Sequence, residues 1–123
     1  MPTILPTEEQ FQNIQAVSDH GELVMVNLLR FKPEGGEALY EKYSQMIYPI
    51  ITKIGARVIY YGNGVMTFIG DDYWDAVLLV EYPSRSAFME MIRDPQYLEA
   101  SRYRQEGLID SRLYVTRPQW MGG

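Results

Sequence analysis

Hydrophobic positions along the chain predict two strands that are buried on both faces. Residues 76–82 (AVLLVEY) form a dense apolar run, which Pro83 ends because proline cannot continue a hydrogen-bonded ladder. In residues 23–31 (LVMVNLLRF) both alternating sets of side chains are mainly apolar, and only Asn27 and Arg30 interrupt them. Strands of this kind lie in the middle of a sheet, so we expect these two to be central.

Helical spacing and capping residues predict the segments around these strands. Thr7 and Gln10 form a capping box that begins a short N-terminal helix. A longer helix is expected over residues 37–54, where apolar side chains recur on one helical face. After the second strand we expect a helical block over residues 85–106, with a break at Asp94 because a proline follows it.

The remaining strands are shorter and more polar. Residues 57–61 and 65–69 are strand-like, and residues 62–64 (GNG) between them are either a hairpin turn or a bulge within one long strand. Residues 109–116 form the last strand. After the first helix the order is therefore β-α-β-β-α-β, which predicts an α+β, ferredoxin-like antiparallel sheet with its helices on one face.

This order also predicts the division of the chain. Residues 1–21 are expected to be an N-terminal helical extension, residues 22–118 the ferredoxin-like domain, and residues 119–123 a C-terminal tail. A chain of 123 residues is long enough for one domain with a substantial core.

The sheet face that the helices leave open is expected to be apolar, since both alternating sets of side chains in the central strands are mainly Val, Leu and Met. Soluble monomers rarely expose a large continuous apolar patch. A second copy of the same sheet, packed face to face about a two-fold axis, would cover this face and make an α/β barrel of the homodimer. The alternative is a monomer in which the N-terminal helix folds across the face.

Composition narrows the class of partner. The net charge of −5 and the isoelectric point near 4.8 argue against a nucleic-acid partner, because no basic stripe is present. The N-terminus lacks the basic and apolar regions of a signal peptide, and no apolar run approaches the ~20 residues that span a bilayer. We therefore expect a cytoplasmic protein with no membrane partner. The chain has no cysteine, which excludes thiolate chemistry and sulfur-bound zinc.

A motif around the second central strand resembles a known group of proteins. The strand ends in Tyr82-Pro83-Ser84, a helix with Ala87-Phe88 follows, and then come Asp94-Pro95-Gln96-Tyr97 and Arg104. This pattern resembles the dimeric α/β-barrel superfamily, and within it a branch of small bacterial domains of unknown function. The resemblance covers residues 23–117 and implies the ferredoxin-like fold, but it implies no activity. Gly55-Ala56-Arg57 departs mildly from the Gly-Gly-Arg of these relatives.

The wider superfamily includes haem-degrading monooxygenases, cofactor-free monooxygenases acting on quinols, other haem proteins and muconolactone isomerase-like enzymes. The haem-degrading members are similar in having an asparagine on the first strand, matched here by Asn27. They also carry an iron-binding histidine on the second main helix. This chain has no histidine at residues 99–103, and its single histidine, His20, precedes the first strand. We therefore expect no haem, no other cofactor and no metal.

Two polar residues on the central strands are candidates for catalysis. Asn27 and Glu81 are expected to be buried on neighbouring strands, where a polar side chain must find partners. One hypothesis is a polar pair that orients a substrate, with Glu81 as a general base. The alternative is a hydrogen bond at the dimer interface, or a salt bridge from Glu81 to Arg30 or Arg57.

Arginines and tyrosines are candidates for substrate binding. Arg102 and Arg104 leave one helix on different faces, so either could enter a cavity and bind a carboxylate, or could instead pair with Glu99 or Glu106. Aromatic residues could line the pocket for a flat substrate, or could simply pack in the core and the interface: Tyr43, Tyr60, Trp74, Tyr82 and Tyr97. The candidates for substrate binding are therefore Arg30, Tyr43, Tyr97 and Arg104.

Three classes of function remain open on these grounds, of which a haem protein is the third and least favoured. The first is a dimeric protein with a small-molecule pocket between sheet and helices, acting on an anionic or aromatic ligand. In that class the chain could be a cofactor-independent enzyme of the monooxygenase or isomerase type. The second is a non-catalytic dimeric module, in which the same residues only stabilise the interface. A haem protein is disfavoured by the missing histidine.

Overall fold

The computed structural model describes residues 2–119. Within that range the chain forms the following helices and strands: α1 (Glu8–Ile14), β1 (Leu23–Phe31), α2 (Gly36–Lys53), β2 (Arg57–Asn63), β3 (Ala76–Tyr82), α3 (Arg85–Arg93), α4 (Pro95–Gly107) and β4 (Leu108–Thr116). The predicted tail, residues 119–123, lies outside the described residues except for Gln119. None of the described helices is both long and apolar enough to cross a membrane.

The four strands form one sheet in the order β2-β3-β1-β4. Each neighbouring pair is antiparallel. The prediction that the two doubly apolar strands are central is confirmed, and the fold is the ferredoxin-like α+β fold. β1 and β3 form hydrogen bonds to a neighbouring strand on both sides. The edge strands of the sheet are the more polar β2 and β4.

Local capping explains where the helices begin. Thr7 accepts a hydrogen bond from the backbone N–H of Gln10, and the Gln10 side chain accepts one from the N–H of Thr7, as the sequence predicts. The Asp94 side chain accepts a hydrogen bond from the backbone of Gln96, so α3 ends and α4 begins at this residue. Helices α3 and α4 can therefore run in different directions.

The segment between β2 and β3 differs from the prediction. Residues 65–69 are not a strand, and residues 62–64 are neither a hairpin turn nor a bulge. The bulge of β2 lies between Val58 and Tyr60. The pairing of β2 with β3 ends at Asn63, because β3 has no residues before Ala76 with which a longer β2 could pair. Residues 64–75 form a loop instead, whose apolar side chains are largely exposed: Val65, Met66, Phe68 and Ile69.

The two faces of the sheet have different surroundings. Leu23, Met25 and Leu29 of β1 face the helices and belong to the core. The opposite face carries residues of β1 and β3 that remain partly exposed: Val26, Leu28, Val77 and Leu79. We call these four residues and their side of the sheet the open face.

The N-terminal segment lies on the helix side of the sheet, so the alternative that it covers the open face is wrong. Ile4 and Val17 pack against the core formed by the helices and the inner face. The segment is attached at both ends. Thr3 exchanges hydrogen bonds with Ser111 and donates its N–H to Asp110, and the Arg85 side chain donates to the carbonyl oxygen of Val17. The loop of residues 64–75 reaches the margin of the open face, where Tyr73 and Trp74 contact Arg30, but no described helix lies across its centre.

Candidate functional site

A cavity of about 1130 Å³ lies between the inner face of the sheet and the helices. Its floor is formed by β1 and β3, its roof by α2 and α4, and the N-terminal segment closes part of one side. Apolar side chains from all these elements line it, among them Met25, Val80 and Phe11. The volume falls slightly above the usual range of ligand pockets, so the cavity is large enough for a small organic molecule.

Arg104 of α4 brings a buried positive charge to this cavity. Its side chain is only 8% exposed. One terminal nitrogen donates to the carbonyl oxygen of Ile4 at 2.8 Å, and the other lies 3.5 Å from the hydroxyl of Ser111. The hydroxyl of Tyr40 lies beside the same guanidinium group. These partners position the guanidinium without neutralising it.

No carboxylate pairs with Arg104 in the part of the chain that the structure describes. The ion pairs found there are Arg30–Asp110, Arg57–Glu81 and Arg112–Asp110. A buried charge is costly unless it is paired or hydrogen-bonded, and the hydrogen-bond partners of Arg104 among the described residues are all uncharged. The guanidinium group also has the planar fork that binds a carboxylate through two hydrogen bonds.

Tyrosines surround this charge. The ring centroids of Tyr40 and Tyr43 are 5.2 Å apart, and those of Tyr43 and Tyr97 are 6.3 Å apart in an edge-to-face arrangement. Burial raises the pKa values of the Tyr40, Tyr43 and Tyr82 hydroxyls above the ordinary value for tyrosine. These hydroxyls therefore stay protonated at neutral pH, where they can donate hydrogen bonds but cannot serve as bases.

Asn27 lies on the cavity floor and is 7% exposed. Its side-chain nitrogen donates to the backbone carbonyl oxygens of Met25 and Leu78, each at 3.3 Å. Because both partners are acceptors, they fix which end of the carboxamide is the nitrogen. The side-chain oxygen Oδ1 accepts no hydrogen bond from any group in residues 2–119.

The structure separates Glu81 from Asn27. In the pairing of β1 with β3, Glu81 lies opposite Val24 and Asn27 lies opposite Leu78, so the two side chains are on opposite faces of the sheet. Glu81 accepts a hydrogen bond from Nε of Arg57 at 2.9 Å, which is one of the salt bridges left open by the sequence. A carboxylate on the far side of the sheet cannot reach a ligand in the cavity.

Arg30 is also outside the cavity. Its guanidinium lies 4.3 Å from the ring centroid of Tyr73 and 4.6 Å from that of Trp74, and it approaches the Asp110 carboxylate at 3.5 Å. Cation–π contacts on both aromatic rings stabilise the end of the loop against the open-face side of β1. Arg30 thus has a local role that differs from the substrate contact expected of it.

Four of the six site residues predicted from sequence line the cavity together: Asn27, Tyr43, Tyr97 and Arg104. Of the aromatic candidates, Tyr82 also lines it, whereas Tyr60 and Trp74 do not. Sequence reasoning missed Tyr40, Ser111 and the N-terminal lining. The spacing of Tyr40 and Tyr43, three residues apart on one helix, is a signal that could have identified Tyr40, since such residues share a helix face.

Metal binding has no candidate cluster in the described chain. Between residues 2 and 119, no group of three or more histidine, aspartate or glutamate side chains is arranged to hold a metal ion.

Comparison with known proteins gives a family match without an activity. Residues 35–117 match the family model described as a domain of unknown function (DUF1330). No curated protein matches the chain.

Solved structures with the same fold include one of substantial sequence similarity. The RPA0582 protein of unknown function from Rhodopseudomonas palustris is 36% identical, with a TM-score of 0.94 over 98% of this chain and 100% of that one. The At3g17210 protein from Arabidopsis thaliana is 19% identical, with a TM-score of 0.63 over 81% of this chain and 98% of that one. A Bacteroides fragilis protein described as dimeric, of unknown function and ferredoxin-like, is 10% identical, with a TM-score of 0.54 over 81% of this chain and 99% of that one.

Proposed function

We propose that this chain, which belongs to the family described as a domain of unknown function (DUF1330), binds a small, mainly apolar carboxylate in the cavity between its sheet and its helices. The observation that carries the proposal is the Arg104 guanidinium, which is buried at the cavity without a carboxylate partner among the described residues. An anionic ligand supplies the missing counter-charge.

The rest of the lining suits the apolar part of such a ligand. Aromatic rings and aliphatic side chains make up most of the surface, including Tyr43, Tyr97 and Phe88. Flat ligands pack well against tyrosine rings, while the hydroxyl at the end of each ring can donate to a polar atom of the ligand. An aromatic carboxylate therefore satisfies both the guanidinium group and the rings around it.

Binding is better supported than catalysis. The acidic residues that line the cavity within the described chain are Glu37 and Glu41, and both are exposed at its rim. Glu81, the expected general base, lies across the sheet. A reaction of the monooxygenase or isomerase type would need a group that accepts a proton next to the ligand, and the protonated tyrosines do not provide one.

The test compares a carboxylate with its uncharged counterpart in calorimetric titrations. We expect 4-methylbenzoate to bind the wild-type protein and 4-methylbenzyl alcohol to bind at least tenfold more weakly, because a hydrogen bond to a charged group contributes roughly 1.5–3 kcal/mol. Arg104→Met should abolish the preference for the carboxylate. Arg102→Met is the matched control, since Arg102 is an exposed arginine two residues away on α4.

Two results would contradict the proposal. One is equal affinity of the carboxylate for wild-type protein and Arg104→Met. The other is no binding of either compound to the wild-type protein, which would favour the non-catalytic dimeric module.

A homodimer is a second proposal, carried by the open face. On the side of the sheet opposite to the helices lies an apolar centre of four partly exposed residues: Val26, Leu28, Val77 and Leu79. The open face is self-complementary in a two-fold packing, because the same strands meet their own copies. The Bacteroides fragilis protein that shares the fold is described as dimeric, which supports a dimer here. A cytoplasmic location and the absence of a nucleic-acid partner remain predictions from the sequence.

A further inference from the structure

We infer that the ligand carries a hydrogen-bond donor at the end opposite its carboxylate, and that Asn27 is the residue that selects it. The inference rests on the proposed function, because it takes the Arg104 guanidinium as the site of the carboxylate. Asn27 would make the second polar contact with the ligand. The ligand class is then an aromatic carboxylate with a hydroxyl or N–H group at its far end.

The carboxamide of Asn27 is fixed by its own strand and by the neighbouring one. Its nitrogen is held by the carbonyl oxygens of Met25 and Leu78 at 3.3 Å each, so the group cannot rotate without losing both hydrogen bonds. The oxygen Oδ1 is bonded to the same carbon and must point away from those carbonyls. It is an acceptor at the cavity floor, to which no group in residues 2–119 donates.

The pairing of β1 with β4 gives the separation of Asn27 from Ser111, the residue beside the Arg104 guanidinium. Arg104 contacts Ser111, which lies opposite Leu29, whereas Asn27 lies two residues further along β1. Strand geometry places the Cα atoms of Asn27 and Ser111 about 8 Å apart. A ligand that lies over the sheet between these groups has the length of one benzene ring with para substituents.

An acceptor that lies at the cavity without a donor in residues 2–119 explains why the ligand should carry one. Asn27 is only 7% exposed, so its Oδ1 loses water when a ligand fills the cavity. A ligand with a hydroxyl or N–H group replaces that water, whereas a methyl group leaves the oxygen unsatisfied. Sites built around a buried polar group reject analogues that lack the matching polar atom.

The experiment titrates 4-hydroxybenzoate and 4-methylbenzoate into the wild-type protein and into Asn27→Leu. The two ligands share ring and carboxylate and differ only in the para donor. In the wild-type protein we expect 4-hydroxybenzoate to bind about tenfold more tightly. In Asn27→Leu, which keeps a side chain of similar size, the two dissociation constants should become equal. The ligand comparison in wild-type protein remains decisive even if the variant fails to fold.

The possible outcomes separate this inference from the proposed function. Equal affinities of the two ligands for the wild-type protein would overturn the inference and leave the proposed function intact. A preference for 4-hydroxybenzoate that persists in Asn27→Leu would overturn the role of Asn27. No binding of either ligand to the wild-type protein would overturn the proposed function and this inference together.

Discussion

Two arginines that stand two positions apart on α4 have opposite environments. Arg104 is 8% exposed and lines the cavity, whereas Arg102 is exposed. Helix geometry predicts that the two side chains point to different faces, but it does not say which face meets the cavity. That choice depends on how α4 packs against α2, which is a tertiary property.

For a strand, too, the sequence does not tell which face of the element meets the cavity, and Glu81 is the example. Alternation along β3 divides its side chains into two sets, and both sets are apolar apart from Glu81. Hydrophobicity alone therefore does not tell which set faces the helices. The pairing register of β3 with β1 decides it, and it places Glu81 on the side opposite to Asn27.

At the residue scale we predict that Glu81→Gln leaves the binding of 4-hydroxybenzoate unchanged, because Glu81 is separated from the cavity by the sheet. In the single chain its partner Arg57 is largely exposed, with 70% of its side chain accessible. Glu81 itself is largely buried, with 14% of its side chain accessible, but solvent screens the pair at Arg57, so we expect it to contribute about 1 kcal/mol to the free energy of unfolding. Calorimetric titration measures the ligand affinity and urea denaturation measures the free energy of unfolding. A tenfold loss of ligand affinity would show that Glu81 contributes to ligand binding.

The sequence predicts helix ends well where they are determined by neighbouring residues. The start of α1 at Thr7 and the break between α3 and α4 at Asp94 follow from capping residues, and the structure has both. The strand predicted over residues 65–69 is absent, although its composition favours a strand. A strand also needs a partner, and β3 begins too late in the chain to provide one.

Close packing of α2 against α4 depends on two glycines that the sequence does not mark as special. A Cβ atom on Gly36 would lie 2.5 Å from the backbone oxygen of Gly107, and one on Gly107 would lie 2.7 Å from the backbone oxygen of Gly36. Both distances are shorter than the contacts that Cβ atoms make in proteins. The helices can therefore approach closely only because both positions are glycine.

At the element scale we predict that Gly36→Ala separates the start of α2 from the end of α4 and lowers stability. Forcing one extra carbon into a well-packed contact costs roughly 1–3 kcal/mol. Urea denaturation measures the loss, and Glu37→Ala, at the neighbouring exposed position, is the control that should change stability little. Unchanged stability of Gly36→Ala would show that the helix ends move apart without cost.

At the scale of the whole molecule, the open face and the cavity lie on opposite sides of one sheet. The cavity contains the residues proposed to bind the ligand, and the open face contains apolar side chains without a cover in the described chain. The ferredoxin-like order and the proposal of a dimer rest on the same sequence pattern, since a sheet whose helices cover one face leaves the other face apolar. A pocket between sheet and helices was also expected from the sequence, but its size was not, because the size depends on how far the helices stand from the sheet.

We predict that Leu79→Lys converts the dimer into a folded monomer. Leu79 lies on the open face opposite Val26, near the middle of the sheet. A lysine there is solvated in the single chain but would be buried without a partner in a face-to-face dimer. Sedimentation velocity measures the mass and circular dichroism checks the fold, with Gln45→Lys at an exposed position of α2 as the charge-matched control. A wild-type protein that sediments as a monomer would contradict the dimer itself.

The central claim is that Arg104 receives the carboxylate of a ligand inside the cavity, and a crystal soaked with 4-bromobenzoate tests it most directly. Anomalous scattering locates the bromine without reference to any assumed pose, and the electron density then locates the carboxylate. We predict that the bromine lies between sheet and helices and that both carboxylate oxygens contact the Arg104 guanidinium. A bromine peak outside the cavity, or a carboxylate bound away from Arg104, would contradict the claim.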